Sequence, residues 1–300
     1  MNKNDEQILR QVQQKISNKE YEKALQLLEN LYLKKQNKEL NYLLFHTYVR
    51  AGEYNNAIQV ADEFIDEYVA NDSWLFEYVK VLLHAGKILQ VFILFKKLNK
   101  YFNQDEKNEF EQILKHYPSY LNKQQQRLKK ELIRKLKYLP AFDLEKQRKI
   151  IAQCNLLNPQ ELYLNTKGLL LNNDLSNFTR MSLLDMLRKT SDQLVQVRTF
   201  LGEIIDVKLN ELPSIEEAEV FRKLSKEILN SKKYNENLKL KYLSELKLQL
   251  MIIYPYLNQF TFEELKKLLV ASISQLNSNE VVFRKKLTQE LNKILNFKIN

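Results

Sequence analysis

Few residues in this chain of 300 are of types that do chemistry, and their spacing argues against most of it. The histidines are His46, His84 and His116, and none lies within four positions of another. No helical turn therefore supplies a pair of metal ligands; His46 and His84 could meet only across neighbouring helices. The single cysteine, Cys154, excludes an internal disulfide and a cysteine-based metal cluster. Flanked by Ile150, Ile151 and Leu156, it reads as a buried, inert thiol. The four glycines are far apart, so no loop can cradle a phosphate, and no G-x-S-x-G elbow occurs. The pairs Glu216-Glu217 and Glu263-Glu264 follow Ser214 and Thr261 in capping-box patterns, where carboxylates favour a helix dipole rather than acid–base work. No catalytic, cofactor-binding or metal-binding residues are expected, and the chain reads as a non-enzyme.

The most concentrated charge is a stripe of cations. Lys123, Arg127, Lys130, Arg134 and Lys137 recur at steps of four and three, which places five cations on one helix face. Leu128, Leu132 and Leu136 fall on another. Two readings stay open: a phosphate-tracking surface for RNA or an acidic protein, and the solvated face of an ordinary amphipathic helix. No aromatic interleaves the cations, which counts against stacking on single strands. The net charge of +10 comes from 47 basic and 37 acidic side chains and speaks to non-specific association more than to a partner.

The elements that must carry these residues are helices. Only 4 Gly and 5 Pro occur, and helix interiors exclude both. Ala24, Ala57 and Val91 mark a pattern that recurs every 33 to 34 residues, the period of a stacked helix–turn–helix unit. The second unit is clearest: Leu44, Phe45 and Tyr48 share a face of its first helix, Gly52 ends that helix, and Tyr54, Ala57, Ala61 and Phe64 line the inner face of the second. Trp74, Leu75, Tyr78, Val79, Leu82, Gly86, Ile88, Val91, Phe95 and Leu98 repeat the arrangement. The first unit has Ile8, Val12, Tyr21, Ala24, Leu28 and Leu31, with Asn18 in place of the turn glycine.

Residues 5 to 100 thus resemble tetratricopeptide (TPR) repeats, through the apolar pair and tyrosine of the first helix, the turn glycine, the aromatic Tyr54 and the small Ala57. They depart from the family at Phe45 and Val79 beside the apolar pair, at Val91, and in lacking a proline after any unit. The resemblance implies a groove lined by the first helix of each unit: Tyr42, His46 and Arg50, then Phe76, Lys80 and His84, with Leu9 and Gln13 as the weaker equivalents. An aromatic and basic groove suits an extended acidic or aromatic peptide; the other reading has Tyr42 and Phe76 packing on a neighbouring helix. The lysine–asparagine clamp of family members that hold a chaperone's C-terminal carboxylate is replaced by Tyr42 and His46.

Residues 1–103 are expected to form the repeats, 104–192 a helical region continuing the array, and 193–300 a helical region with one hairpin. Helices are expected over Gln104–Tyr117, Ser119–Leu139, Asp143–Leu157, Leu162–Leu171, Phe178–Leu187, Tyr234–Tyr254 and Glu280–Phe297. Leu194 to Phe200 and Glu203 to Leu209 alternate around Leu201-Gly202, which predicts a β-hairpin at about 194–209. The hairpin, Leu212-Pro213 and Ile253-Tyr254-Pro255 together resemble the C-terminal part of uncharacterised TPR-repeat proteins of low-GC Gram-positive bacteria. The fold class is all-α: a helix-pair solenoid, then helices carrying one short hairpin. No apolar run reaches spanning length and no secretory leader is visible, so a cytoplasmic location is expected. The expected function is a protein–protein interaction scaffold that binds a peptide or helix in its groove; the alternative is an RNA- or ribosome-associated protein using the Lys123–Lys137 face.

Overall fold

The computed structural model describes residues 3–295, apart from the side chains of Lys3, Asn4, Asn258 and Leu295. The described chain is all-α with one two-stranded antiparallel hairpin. It divides into two compact units between Leu128 and Lys129.

In the first unit α1 (Lys3–Ser17) pairs with α2 (Tyr21–Lys34), and α3 (Lys38–Ala51) with α4 (Tyr54–Asp62) and the short α5 (Ile65–Val69). Then α6 (Asp72–His84) pairs with α7 (Ile88–Leu98), and α8 (Gln104–His116) packs on both. The three pairs share one turn, built bond for bond. Lys19, Gly52 and Gly86 are all left-handed, with φ of 60°, 79° and 74°. The amide after each reaches back into the preceding helix: Glu20 to Lys15 at 2.9 Å, Glu53 to Tyr48 at 2.9 Å, Lys87 to Leu82 at 2.8 Å. This is the helix-ending motif that a left-handed residue makes cheap. It corrects the sequence reading of the first unit, in which the turn position is Lys19 and not Asn18.

Three residues into each second helix the chain is committed to packing. The amides of Ala24, Ala57 and Val91 close the first helical turn onto Glu20, Glu53 and Lys87. Their side chains are wholly buried. A methyl or isopropyl group there lets helix backbones approach closely, and larger side chains such as Leu28, Phe45, Leu75 and Leu82 fill the seam around it. Each fully buried residue of that size contributes about 1.5–3 kcal/mol of apolar transfer.

The second helix of the middle pair is interrupted, contrary to the sequence reading. It stops at Asp62, and Phe64 caps α5 instead of lying on a continuous face. The break brings Tyr68, fully buried, onto Asn41, also fully buried. The Tyr68 hydroxyl donates to Asn41 Oδ1 at 3.0 Å, and the Asn41 amide donates to the Tyr32 hydroxyl at 2.9 Å and to the Val60 carbonyl at 2.7 Å. Every polar group of the Asn41 side chain is thereby satisfied inside an apolar seam.

A 3-10 turn at Tyr117–Tyr120 follows α8, and α9 covers Lys123–Lys137. The helix expected from Ser119 starts four residues later because Asn122 and Gln125 cap it reciprocally, each side chain accepting from the other's amide at 2.9–3.0 Å. The division between the two units falls inside α9.

The second unit contains α10 (Leu144–Ala152), α11 (Pro159–Thr166) and α12 (Asn177–Thr190), the strands β1 (Leu194–Arg198) and β2 (Ile204–Lys208), then α13 (Glu219–Asn230), α14 (Glu236–Ile253), α15 (Phe262–Val270) and α16 (Ser278–Leu295). The expected caps Asp143, Asn158 and Thr261 each accept from the amide three residues on. The ends of α10 and α11 tighten into 3-10 turns rather than continuing to Leu157 and Leu171. Ser214 and Glu217 do form their reciprocal box, but it closes a single turn and α13 begins only at Glu219. Glu216 therefore serves no helix dipole; its carboxylate pairs with Lys247. In the hairpin Gln196 faces Asp206, and Gly202 takes a φ of 96° at the turn. Val195, Val197 and Val207 turn inward, and β1 packs on the 3-10 turn at Lys167–Leu171. Cys154 is fully buried and burial pushes its thiol up to about 12. The expected end of the last helix at Phe297 lies outside the described residues.

Candidate functional site

The first helices of successive pairs lie side by side and leave two grooves. The first, about 560 Å³, runs between α1 and α3 and is lined by Gln13, Ile16, Glu39, Tyr42, His46 and Arg50 among others. The second, about 490 Å³, runs between α6 and α8 and includes Phe76, Glu77, Lys80 and Glu109. Of the six residues the resemblance implied, Tyr42, His46 and Arg50 line the first groove, and Phe76 and Lys80 the second. Leu9 does not line the first groove, whereas Gln13 does.

A ridge of rings and one carboxylate lies between α3 and α6. Tyr42 stacks flat on Trp74, with centroids 3.9 Å apart and planes within 12°. Its hydroxyl donates to Glu77 Oε2 at 2.7 Å, and His46 Nε2 meets the same oxygen at 3.0 Å. Burial, with Arg50 nearby, holds the His46 imidazole below its ordinary value despite Glu77. Burial, helped by Glu77, pushes the Tyr42 phenol up. Tyr42 thus lines the groove and also packs on the neighbouring helix.

Phe76 follows the packing reading, and His84 departs from the expectation. Phe76 is 7% exposed and packs on Phe110, so it forms the floor of its groove rather than a free ligand contact. His84 lies in neither groove. It stacks on Tyr54 at 5.0 Å and meets the edge of Tyr120 at 5.1 Å, and burial lowers its pKa. His46 and His84 are not brought together, and among the described residues no cluster of three or more His, Cys, Asp or Glu side chains forms a metal-binding group.

The charge of the second groove also differs from the expectation. Lys80 faces Asp72, Glu77, Asp105, Glu106 and Glu109, so this end is acidic rather than basic. The signal was present in the acidic first turns of α6 and α8. Most of the carboxylates come from α8, which lies beyond the three repeats.

On α9 all five cations of the stripe, Lys123, Arg127, Lys130, Arg134 and Lys137, are exposed. Two other lysines of the helix are tied to carboxylates, Lys129 to Glu161 at 2.8 Å and Lys135 to Glu131 at 2.7 Å. None of the five makes an ion pair with a carboxylate among the described residues.

No family model, no curated protein and no solved structure matches this chain.

Proposed function

We propose that the first unit is a non-enzymatic, TPR-like scaffold that binds a peptide or helix along the outward faces of α1, α3, α6 and α8. The observation that carries this reading is the pair of adjoining grooves on consecutive first helices, with the Tyr42–Trp74 ridge between them. The grooves differ in character. Around α1 and α3 the wall offers rings, Arg50 and Glu39; around α6 and α8 it offers carboxylates with one lysine. A ligand that complements both carries apolar or aromatic side chains for the first groove and lysine or arginine for the second. The acidic peptide that the first-helix residues alone suggested suits only the Arg50 end.

The test is selection from a random peptide display library with the full chain, against two exposed charge reversals, Arg50→Glu and Glu109→Lys. The reading expects enriched peptides with a basic cluster beside an aromatic, and lower affinity for Glu109→Lys. A library that enriches nothing over the two variants would refute it.

A second reading has its own observation: five exposed cations on a single helix, none in an ion pair with a carboxylate among the described residues. If α9 tracks phosphates, RNA retention falls steeply with salt and the slope shrinks when Arg127, Lys130 and Arg134 become glutamine. Absence of RNA retention at moderate salt disposes of it.

A further inference from the structure

A separate cavity, about 480 Å³, lies in the second unit, where the start of α12, the hairpin turn and α16 meet. Its lining includes Arg180, Arg198 and Thr199 together with Phe142, Phe178 and Phe200. Arg180 is 4% exposed and Thr199 is 2% exposed. The Arg180 guanidinium donates to Asn177 Oδ1 at 2.9 Å and to the Asn172 and Leu175 carbonyls at 2.7 and 3.0 Å. Arg198 donates to the Leu171 and Gly202 carbonyls at 3.1 and 2.8 Å.

All these acceptors are neutral. The carboxylates in the lining are Glu290, which pairs with Lys293 at 2.5 Å, and the exposed Asp174. Two guanidinium groups thus share one cavity with no carboxylate hydrogen-bonded to either among the described residues; Glu290 acts on Arg180 only through space and is itself paired with Lys293. A buried cation in that position is costly unless an anion neutralises it. Two polar atoms of the lining also have no partner among the described residues: Arg180 Nε and the Thr199 hydroxyl. Buried donors left unmade cost more than most hydrogen bonds contribute, so a pair of them in one cavity marks a place for acceptor oxygens. The phenylalanines supply an apolar wall of a kind found in small-molecule sites of this size.

We propose that this cavity binds a small organic oxyanion: a phosphate or carboxylate headgroup met by Arg180, Arg198 and Thr199, on an apolar body that rests against the phenylalanines. Arginine forks match either headgroup. The site is independent of the peptide grooves.

The experiment is calorimetric titration of the full chain with phenyl phosphate and with benzoate, beside thermal melts with and without each. At least one probe should bind saturably and raise the melting temperature; which one does so names the headgroup. Thr199→Val removes an unpartnered hydroxyl, so it should melt no lower than the wild type yet bind about tenfold more weakly. Arg198→Gln should weaken binding by at least as much. If neither probe binds, or if either variant binds as the wild type does, the proposal is overturned, and Arg180 is only a clamp on the Asn172 and Leu175 carbonyls.

Discussion

The Tyr42 hydroxyl donates to the Glu77 carboxylate over 2.7 Å and so ties α3 to α6. The same device recurs through the first unit: Tyr32 donates to Glu63, Tyr48 to Glu29 and Tyr78 to Asp62. Apolar seams are indifferent to small slides of one helix past another, whereas a phenol aimed at a carboxylate has one register. Replacing Tyr42 by phenylalanine keeps the stack on Trp74 and removes only the hydroxyl. We expect a loss of about 1–2 kcal/mol in urea unfolding. The loss should be non-additive with Glu77→Gln; strict additivity would show that the pair does not couple the helices.

Asn41 is the polar centre of that unit. Asn41→Leu strands the Tyr68 hydroxyl in an apolar seam, at a cost of about 1–3 kcal/mol, while the Val60 carbonyl keeps the Glu63 amide at 3.3 Å. Chemical denaturation should show a drop of at least about 1 kcal/mol. A neutral result would mean that water reaches these groups.

Lys19 holds a left-handed conformation that glycine holds in the next two turns. Lys19→Gly should stabilise the chain by about 0.5–1 kcal/mol, since the strain relieved exceeds the added freedom of the unfolded chain. Gly52→Ala should cost about 1 kcal/mol through backbone strain alone, because nothing lies within 4 Å of where its Cβ would stand. Thermal melts of the two variants should move in opposite directions.

These turns also show what the sequence could and could not disclose. Gly52, Gly86 and the buried small residues Ala57 and Val91 were legible because glycine and period are local signals. The left-handed Lys19 was not, since lysine has no preference for that conformation and only the repeated geometry reveals it. The hairpin at Leu194–Lys208 was readable from alternation and one glycine. The Asn41–Tyr68 pair is 27 positions apart and depends on a helix break that no residue type announces. In the grooves, Tyr42, His46 and Arg50 followed from their places on one helix, but the acidic wall came from α8, beyond the recognisable repeats. Arg180 and Arg198 lie on different elements and meet only through the fold.

Alkaline and acid limbs of stability follow from the same contacts. The Tyr32 phenol is pushed up to about 12 by burial and by Glu63, while an unfolded tyrosine ionises near 10. The unfolded chain therefore sheds this proton first, and the stabilisation is complete below pH 10 and lost between pH 10 and 12. Urea midpoints should fall across that window and fall less in Tyr32→Phe. His46 and His84 have lowered pKa values, chiefly through burial. Their stabilisation is complete above the unfolded value near 6.5 and declines as pH falls through the folded values. His84→Phe, which keeps a ring between Tyr54 and Tyr120, should flatten the acid limb; an unchanged slope would remove His84 from it.

The outward faces of α1, α3, α6 and α8 are the centre of the functional reading, and NMR on the full chain tests them directly. Titration with a display-selected peptide should shift the amide signals of Gln13, Arg50, Lys80 and Glu109 along one saturating curve. Shifts confined to residues after Lys129, or none that saturate at those four positions, would contradict the account.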